Sequence, residues 1–83
     1  MLIHLTLYSL LRDLLPKDAR GRADLDLPPA STLADLRARV GITGPAVFTV
    51  NGQLERDETH PLRDGDHVSV FRPAGGGFFE LLP

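Results

Sequence analysis

Apolar and polar residues alternate along several short stretches of the chain, a pattern typical of strands with one buried face. The first stretch, Leu2–Tyr8, places Ile3, Leu5 and Leu7 on one face. A second alternating stretch, Ala23–Leu27, ends at two prolines, which do not continue a central strand. Short apolar stretches predict three further strands at Val47–Val50, Gln53–Glu55 and Val68–Phe71.

One segment has the spacing of an amphipathic helix. The apolar residues of Leu33–Val40 recur at i, i+3 and i+7, which places them on one stripe of a helix. Thr32 and Asp35 resemble a capping box at its start, and Gly41 supplies a left-handed cap at its end. Because so short a helix needs a sheet to pack on, the predicted fold class is α+β, a mixed sheet of about five strands packed on one main helix.

Two further segments carry local signals. We expect Ser9 to cap a short helix that stops at Pro16 and has four leucines at helical spacing, namely Leu10, Leu11, Leu14 and Leu15. Asn51 and Gly52 accept the positive φ values of a type I′ turn, which predicts a tight hairpin.

Composition narrows the classes of function. The chain has 83 residues and no cysteine, which indicates one small domain without disulfides, cysteine-ligated metals or a thiol nucleophile. Its 9 basic and 11 acidic side chains give a net charge of −2, which argues against non-specific binding to nucleic acid. No apolar run is long enough to span a bilayer and the N-terminus lacks a signal-peptide pattern, so we expect a cytoplasmic protein that does not contact membranes.

No residue pattern indicates an active site within the domain. Metal-ligand spacing is absent among the three histidines, which are His4, His60 and His67. The neighbouring carboxylates Asp57 and Glu58, and also Asp64 and Asp66, lie in turn sequences, where capping is their expected role. Acid–base catalysis is the alternative, but it needs a pocket that shifts pKa values, and so small a chain has little room for one. We therefore predict no catalytic residue and no metal site.

The unusual feature follows the last strand. Gly75, Gly76 and Gly77 come directly after Arg72-Pro73-Ala74. Since glycine has no Cβ, the segment is thin enough to thread through a narrow channel into a partner's active site. The alternative is a flexible linker to a disordered or back-folded tail.

The stretch Met1–Gly77 resembles the ubiquitin-like β-grasp sulfur carriers, the family of the molybdopterin synthase small subunit and the thiamine-pathway sulfur carrier. The resemblance rests on the order and spacing of five segments, LIHLTLY, STLADLRARVG, VFTVNGQLE, LRDGDHVSVF and RPAGGG. The segment SLLRDLL and the proline of FRPAGGG favour the molybdopterin branch.

The resemblance implies a function for the diglycine Gly76-Gly77 and for the preceding Gly75. In the family, an E1-like enzyme adenylates the terminal glycine carboxylate with ATP. A sulfur donor converts it to a thiocarboxylate, and the large subunit of an acceptor synthase consumes the sulfur. By position the terminal glycine is Gly77, and no cofactor is bound by the carrier itself. The absence of cysteine fits this function, because the sulfur is carried on the main-chain terminus.

The chain departs from the family where residues 78–83 follow the domain of residues 1–77. This extension consists of Phe78, Phe79, Glu80, Leu81, Leu82 and Pro83. One explanation is its removal by a JAMM-type metalloprotease, as the resemblance to related carriers with tails implies. The alternatives are a non-catalytic β-grasp interaction module that keeps the tail, or a ubiquitin-like modifier joined to target lysines through Gly77.

Alternation also predicts two surfaces of the sheet. Tyr8, Thr49 and Phe71 fall on the face opposite the helix, which commonly meets partners in ubiquitin-like proteins. Alternatively, Tyr8 and Phe71 pack on each other across strands. We expect parallel first and last strands at the sheet centre and a core of thirteen residues: Ile3, Leu5, Leu7, Leu25, Leu33, Leu36, Val40, Phe48, Val50, Leu54, Leu62, Val68 and Val70.

Overall fold

The computed structural model describes residues 1–73, and its elements follow the predicted order. The strands are β1 (Leu2–Leu7), β2 (Arg22–Asp26), β3 (Val47–Val50), β4 (Gln53–Glu55) and β5 (His67–Phe71). The α-helix is α1 (Leu33–Val40), and two short 3-10 helices span Ser9–Leu14 and Lys17–Ala19.

The five strands form one mixed sheet in the order β2-β1-β5-β3-β4. The two central strands, β1 and β5, run parallel, with Leu5 opposite Val68, and every other pair is antiparallel. Residues of α1 join the core on one face of this sheet. The predicted α+β class and the central parallel pair are both confirmed.

The ends of α1 have the predicted caps. The backbone N–H of Asp35 donates to Thr32 Oγ1 over 3.3 Å, and Asp35 Oδ2 accepts from the Thr32 N–H over 2.8 Å. At the other end, Gly41 has φ 86°, the left-handed conformation that glycine adopts without steric cost. Both ends of this short helix are therefore set by residues next to it in the sequence.

Turns at one end of the sheet are held by the side chains that the sequence placed in them. Asn51 and Gly52 have φ values of 52° and 82°, as the predicted hairpin turn requires. Asp64 Oδ1 accepts a hydrogen bond of 2.6 Å from the backbone of Leu2, and Asp66 Oδ2 accepts one of 2.8 Å from the backbone of Arg63. The two aspartates therefore stabilise turns, as predicted.

The core confirms ten of the thirteen predicted residues and corrects the others. Leu54 is wrong: it lies opposite Thr49 on the other face of the sheet and is 53% exposed. Leu25 and Val40 are only partly buried, because one lies on an edge strand and the other near the end of α1. The core also contains three residues that are absent from the predicted core, which are Leu11, Leu27 and Ile42.

The segment after β1 differs from the predicted capped helix. Ser9–Leu14 is a 3-10 helix, its N-cap is Tyr8 with no side-chain cap, and Ser9 has φ 53°. Only Leu11 is buried within it, at 1% exposure, whereas Leu10 is 78% exposed. The segment makes a single apolar contact with the core, so a full helical stripe is not needed. Among residues 1–73, no helix is long and apolar enough to cross a membrane.

Substitution of two adjacent leucines should separate the buried from the exposed position. We expect Leu11→Ala to lower the free energy of unfolding by about 2–5 kcal/mol, because it leaves a cavity in the core. The matched control Leu10→Ala should change it by less than about 0.5 kcal/mol, since that side chain contacts solvent. Urea denaturation followed by circular dichroism measures both, and equal losses would contradict the 3-10 arrangement.

Two glycines with left-handed φ provide a second test. A Cβ on Gly21 would lie 2.5 Å from the carbonyl oxygen of Leu7, whereas one on Gly65 would meet no atom within 4 Å. Gly65→Ala should therefore cost about 1 kcal/mol for backbone strain alone. Gly21→Ala should cost about 1–3 kcal/mol more, because the clash forces β1 and β2 apart. Urea denaturation measures the free energy of unfolding of both variants. Equal losses would contradict the close approach of Gly21 to the carbonyl of Leu7.

Candidate functional site

The predicted working segment begins where β5 ends. Phe71 is the last residue of β5, and Pro73 is the last described residue. The glycines Gly75–Gly77 and the extension Phe78–Pro83 lie outside the described residues, so their roles stay predictions. The structure describes instead the root of this segment and the surfaces that surround it.

Arg72 fixes the root of the segment to a neighbouring loop. Its Nη1 donates to the backbone carbonyls of Thr43 and Pro45, over 2.5 and 2.7 Å. A Cβ on Gly44, between these two residues, would lie only 3.3 Å from the same nitrogen. Because one guanidinium bonds two carbonyls of the loop, Arg72 ties the end of β5 to the loop after α1.

The loop that receives Arg72 is itself held by α1. Arg37 Nη1 donates to the carbonyl of Gly44 over 2.8 Å, while Nε and Nη2 bond the two carboxylate oxygens of Glu58 at 2.7 and 3.0 Å. The guanidinium also lies over the buried ring of Phe48, 5.4 Å from its centroid. A continuous set of contacts therefore runs from the helix and the core to the root of the segment. Sequence reasoning missed this role of Arg37, because its partners have no local spacing.

The predicted partner residues lie on the open face of the sheet. Tyr8 and Phe71 form an edge-to-face pair with ring centroids 5.8 Å apart, and Tyr8 remains 47% exposed. Thr49 lies two positions along β3 from Val47, which is opposite Phe71. The exposed Leu54 extends this face beyond Thr49. The structure thus places the three predicted residues on one face, next to the end of β5, and their contact with a partner stays a prediction.

The histidines make pairwise contacts. His4 Nδ1 lies 2.8 Å from Asp24 Oδ1, and its ring stacks on that of His67 with centroids 4.6 Å apart. His60 Nδ1 lies 3.0 Å from a carboxylate oxygen of Glu55. Within residues 1–73, no group of three or more histidine, aspartate or glutamate side chains is arranged to hold a metal ion.

The chemistry of Asp57 is that of a turn. Its Oδ1 accepts hydrogen bonds from the hydroxyl and the backbone N–H of Thr59, at 2.6 and 2.9 Å. These bonds hold the pKa of Asp57 below its ordinary value of 3.8, because they stabilise the charged form. A general acid at neutral pH needs the opposite shift, so this carboxylate is suited to holding the turn.

Comparison with solved structures identifies the fold. SAMP1 from Haloferax volcanii superposes with a TM-score of 0.70 at 19% identity, covering 93% of this chain and 100% of that one. A second crystal structure of H. volcanii small archaeal modifier protein 1 gives 0.69 at 17% identity, with coverages of 87% and 97%. A chain from the complex of subunits 1 and 2 of the molybdopterin-converting factor from Helicobacter pylori 26695 gives 0.64 at 21%, with coverages of 93% and 100%. These similarities confirm the ubiquitin-like β-grasp fold.

Comparison with family models assigns the sequence itself. No curated protein matches the chain significantly by sequence. The model of the ThiS family matches residues 6–77, which are most of the chain. The matched stretch includes the end of β1 and all of β2, β3, β4 and β5. The match also ends at the last of the three glycines. The resemblance inferred from the five segments is therefore confirmed, and the chain belongs to the ThiS family.

Proposed function

We propose that this chain is a sulfur carrier whose working group is the carboxylate of Gly77, exposed after removal of residues 78–83. The observation that carries the proposal is the family match over residues 6–77, which ends at this glycine. The root held by Arg72 supports it, because a threaded terminus needs a fixed point of departure.

The chemistry takes place at a main-chain terminus in a partner's active site. An E1-like enzyme joins the Gly77 carboxylate to AMP from ATP and releases pyrophosphate. Hydrosulfide from a sulfur donor then attacks the carbonyl carbon, the C–O bond to AMP breaks, and AMP leaves with the thiocarboxylate as the product. The carrier contributes the glycines, which lack a Cβ and therefore fit a narrow channel. It acts as a carrier and is not itself the catalyst. A chain without cysteine also cannot form a disulfide with its own cargo.

The extension has to be removed before this chemistry can begin. As long as Phe78 follows, the carbonyl of Gly77 is part of a peptide bond and offers no carboxylate. A JAMM-type metalloprotease is the processing partner that we propose. The mature carrier then comprises residues 1–77 and acts in the cytoplasm.

We favour delivery to a molybdopterin-type synthase over a thiamine-type pathway. The short 3-10 helix after β1 and the proline before the glycines support this branch. One similar solved structure is a molybdopterin-converting factor in which two subunits form a complex. By analogy, the large subunit of such a synthase would receive the sulfur, with the open face of the sheet as the contact surface.

A ubiquitin-like modifier is the second candidate function. It is favoured by the similarity to small archaeal modifier protein 1, whose name states that function. In that case the Gly77 carbonyl would form an amide with a lysine of a target protein. A non-catalytic interaction module that keeps the extension is the remaining alternative.

Intact-protein mass spectrometry tests the sulfur carrier. We expect residues 1–77, incubated with the organism's E1-like enzyme, ATP and a sulfur donor, to exchange one oxygen for sulfur. The full chain of residues 1–83 is the control and should remain unmodified, because its Gly77 has no free carboxylate. Failure of residues 1–77 to gain sulfur would refute the proposal. Gel shifts that persist in reducing agent would instead favour the modifier.

A single added methyl group tests the threading argument. Gly77→Ala in the chain of residues 1–77 should reduce the rate of sulfur loading by at least about tenfold, equivalent to about 1.4 kcal/mol, because the Cβ meets the channel wall. The control Gly52→Ala adds the same group at the hairpin turn, where it would meet no atom within 4 Å, and should load at the normal rate. Normal loading of Gly77→Ala would contradict a narrow channel.

A further inference from the structure

Basic side chains are concentrated in the segment between β1 and β2. Residues 9–22 contain four of the 9 basic side chains of the whole protein but only two of its 11 acidic ones. The four basic residues, Arg12, Lys17, Arg20 and Arg22, are all exposed, and we call them the basic surface. The ion pairs within residues 1–73 use other groups, so these four charges are presented to solvent.

The fold gathers most of these charges around one depression. The side chain of Arg12 lies over Gly21. A Cβ on Gly21 would be 3.0 Å from Arg12 Cγ and 3.2 Å from Arg12 Nε. The same depression is lined by Lys17 and Arg20, together with Ser9 and one carboxylate, Asp13. Because Gly21 has no side chain, the side chain of Arg12 has room to lie over it.

The basic surface lies next to the root of the glycine segment. The loop that contains three of its four residues follows β1, the glycine segment follows β5 in sequence, and the two strands are parallel neighbours. The backbone N–H of Tyr8 donates to the carbonyl of Val70 over 3.1 Å, which extends this pairing to the first residue of the loop. Parallel strands end at the same edge of a sheet, so this loop and the root of the glycine segment, Arg72-Pro73, lie at one edge.

Acidic side chains lie towards the other end of the same strands. Asp26 is opposite Leu2 in the register of β1 with β2, and Asp64 accepts a hydrogen bond from the backbone of Leu2. Asp66 follows in the same turn. Arg63 and the ammonium of Met1 lie at this end too, so its three carboxylates leave a net charge of −1, against +2 for residues 9–22 with four basic and two acidic groups. A partner that approaches the glycine segment meets the positive end of the domain, which orients the encounter.

The length of the segment brings this surface close to the partner. The four residues 74–77 span at most about 14 Å when fully extended. When Gly77 reaches a reaction centre, the mouth of the channel must therefore lie near Pro73 and the loop beside it. Charges on the rim of that channel can therefore approach the basic surface to within the screening length, which is about 8 Å at physiological salt.

We propose that the basic surface docks on an acidic rim around the channel of the E1-like adenylating enzyme and so aligns the glycine segment with it. This inference rests on the proposed function. A protein partner fits better than a nucleic acid, since the cluster is small, contains Asp13 and belongs to an acidic chain.

Charge reversal with a matched control tests the docking. In the chain of residues 1–77, the triple variant R12E/K17E/R20E reverses three charges of the basic surface. The control R39E/R56E/R63E reverses three other exposed arginines and changes the net charge equally. Isothermal calorimetry with the adenylating enzyme should show at least about tenfold weaker binding for the first variant and less than about threefold for the control. The double variant K17E/R20E, which spares the packing of Arg12 on Gly21, should show an intermediate loss if the triple variant unfolds.

Several results would overturn the docking proposal. One such result is that a folded charge-reversed variant binds the enzyme as tightly as the chain without substitutions, and another is that both triple variants lose affinity equally. The proposal also fails if the chain without substitutions does not bind the enzyme, or if it binds a single-stranded DNA probe more tightly than the enzyme. Sulfur loading tests the proposed function separately. If the chain without substitutions binds the enzyme but gains no sulfur, the carrier function is refuted, while docking can still be measured. A reversed variant that binds and loads normally refutes the docking alone.

Discussion

The parallel pairing of β1 with β5 is the contact on which the rest of the structure depends. It joins the two ends of the described chain, with Leu5 opposite Val68 in the centre of the sheet. Parallel neighbours cannot be joined by a tight turn, so the intervening chain has to cross over, and α1 and the β3–β4 hairpin belong to this connection. The pairing also places both carboxyl ends at one edge, where the aromatic pair of Tyr8 and Phe71 lies beside the loop after β1 and the root of the glycine segment, Arg72-Pro73.

The root of the glycine segment is rigid for a different reason. Arg72 satisfies carbonyls of the loop after α1, and Arg37 holds the same loop from the helix side while it pairs with Glu58. Each guanidinium has several donors in a fixed plane, so two side chains can fix a loop that has no regular structure. A carrier needs this combination, since a partner recognises the folded domain and then acts on a terminus at a set distance from it.

In the proposed function, recognition is divided between two surfaces. The open face, with Tyr8, Phe71 and Leu54, presents apolar area, which favours association without fixing an orientation. The edge beside it presents positive charge, which orients a partner and raises the rate of encounter. A net charge of −2 conceals this arrangement, because the acidic groups that outnumber the basic ones include several at the opposite end of the strands.

The sequence by itself determined the features whose physical cause lies within a few residues. The capping box of Thr32 and Asp35 and the hairpin turn at Asn51 were predictable, because hydrogen bonds and φ preferences act locally. The order of such segments also sufficed to indicate the family. Tertiary structure alone decided the burial of Leu11, the exposure of Leu54 and the anchoring of Arg72, because each depends on which distant segment covers or bonds the residue. It also decided that the basic stretch of residues 9–22 lies at the same edge of the sheet as Arg72-Pro73, since only the pairing of the first strand with the last brings the two together.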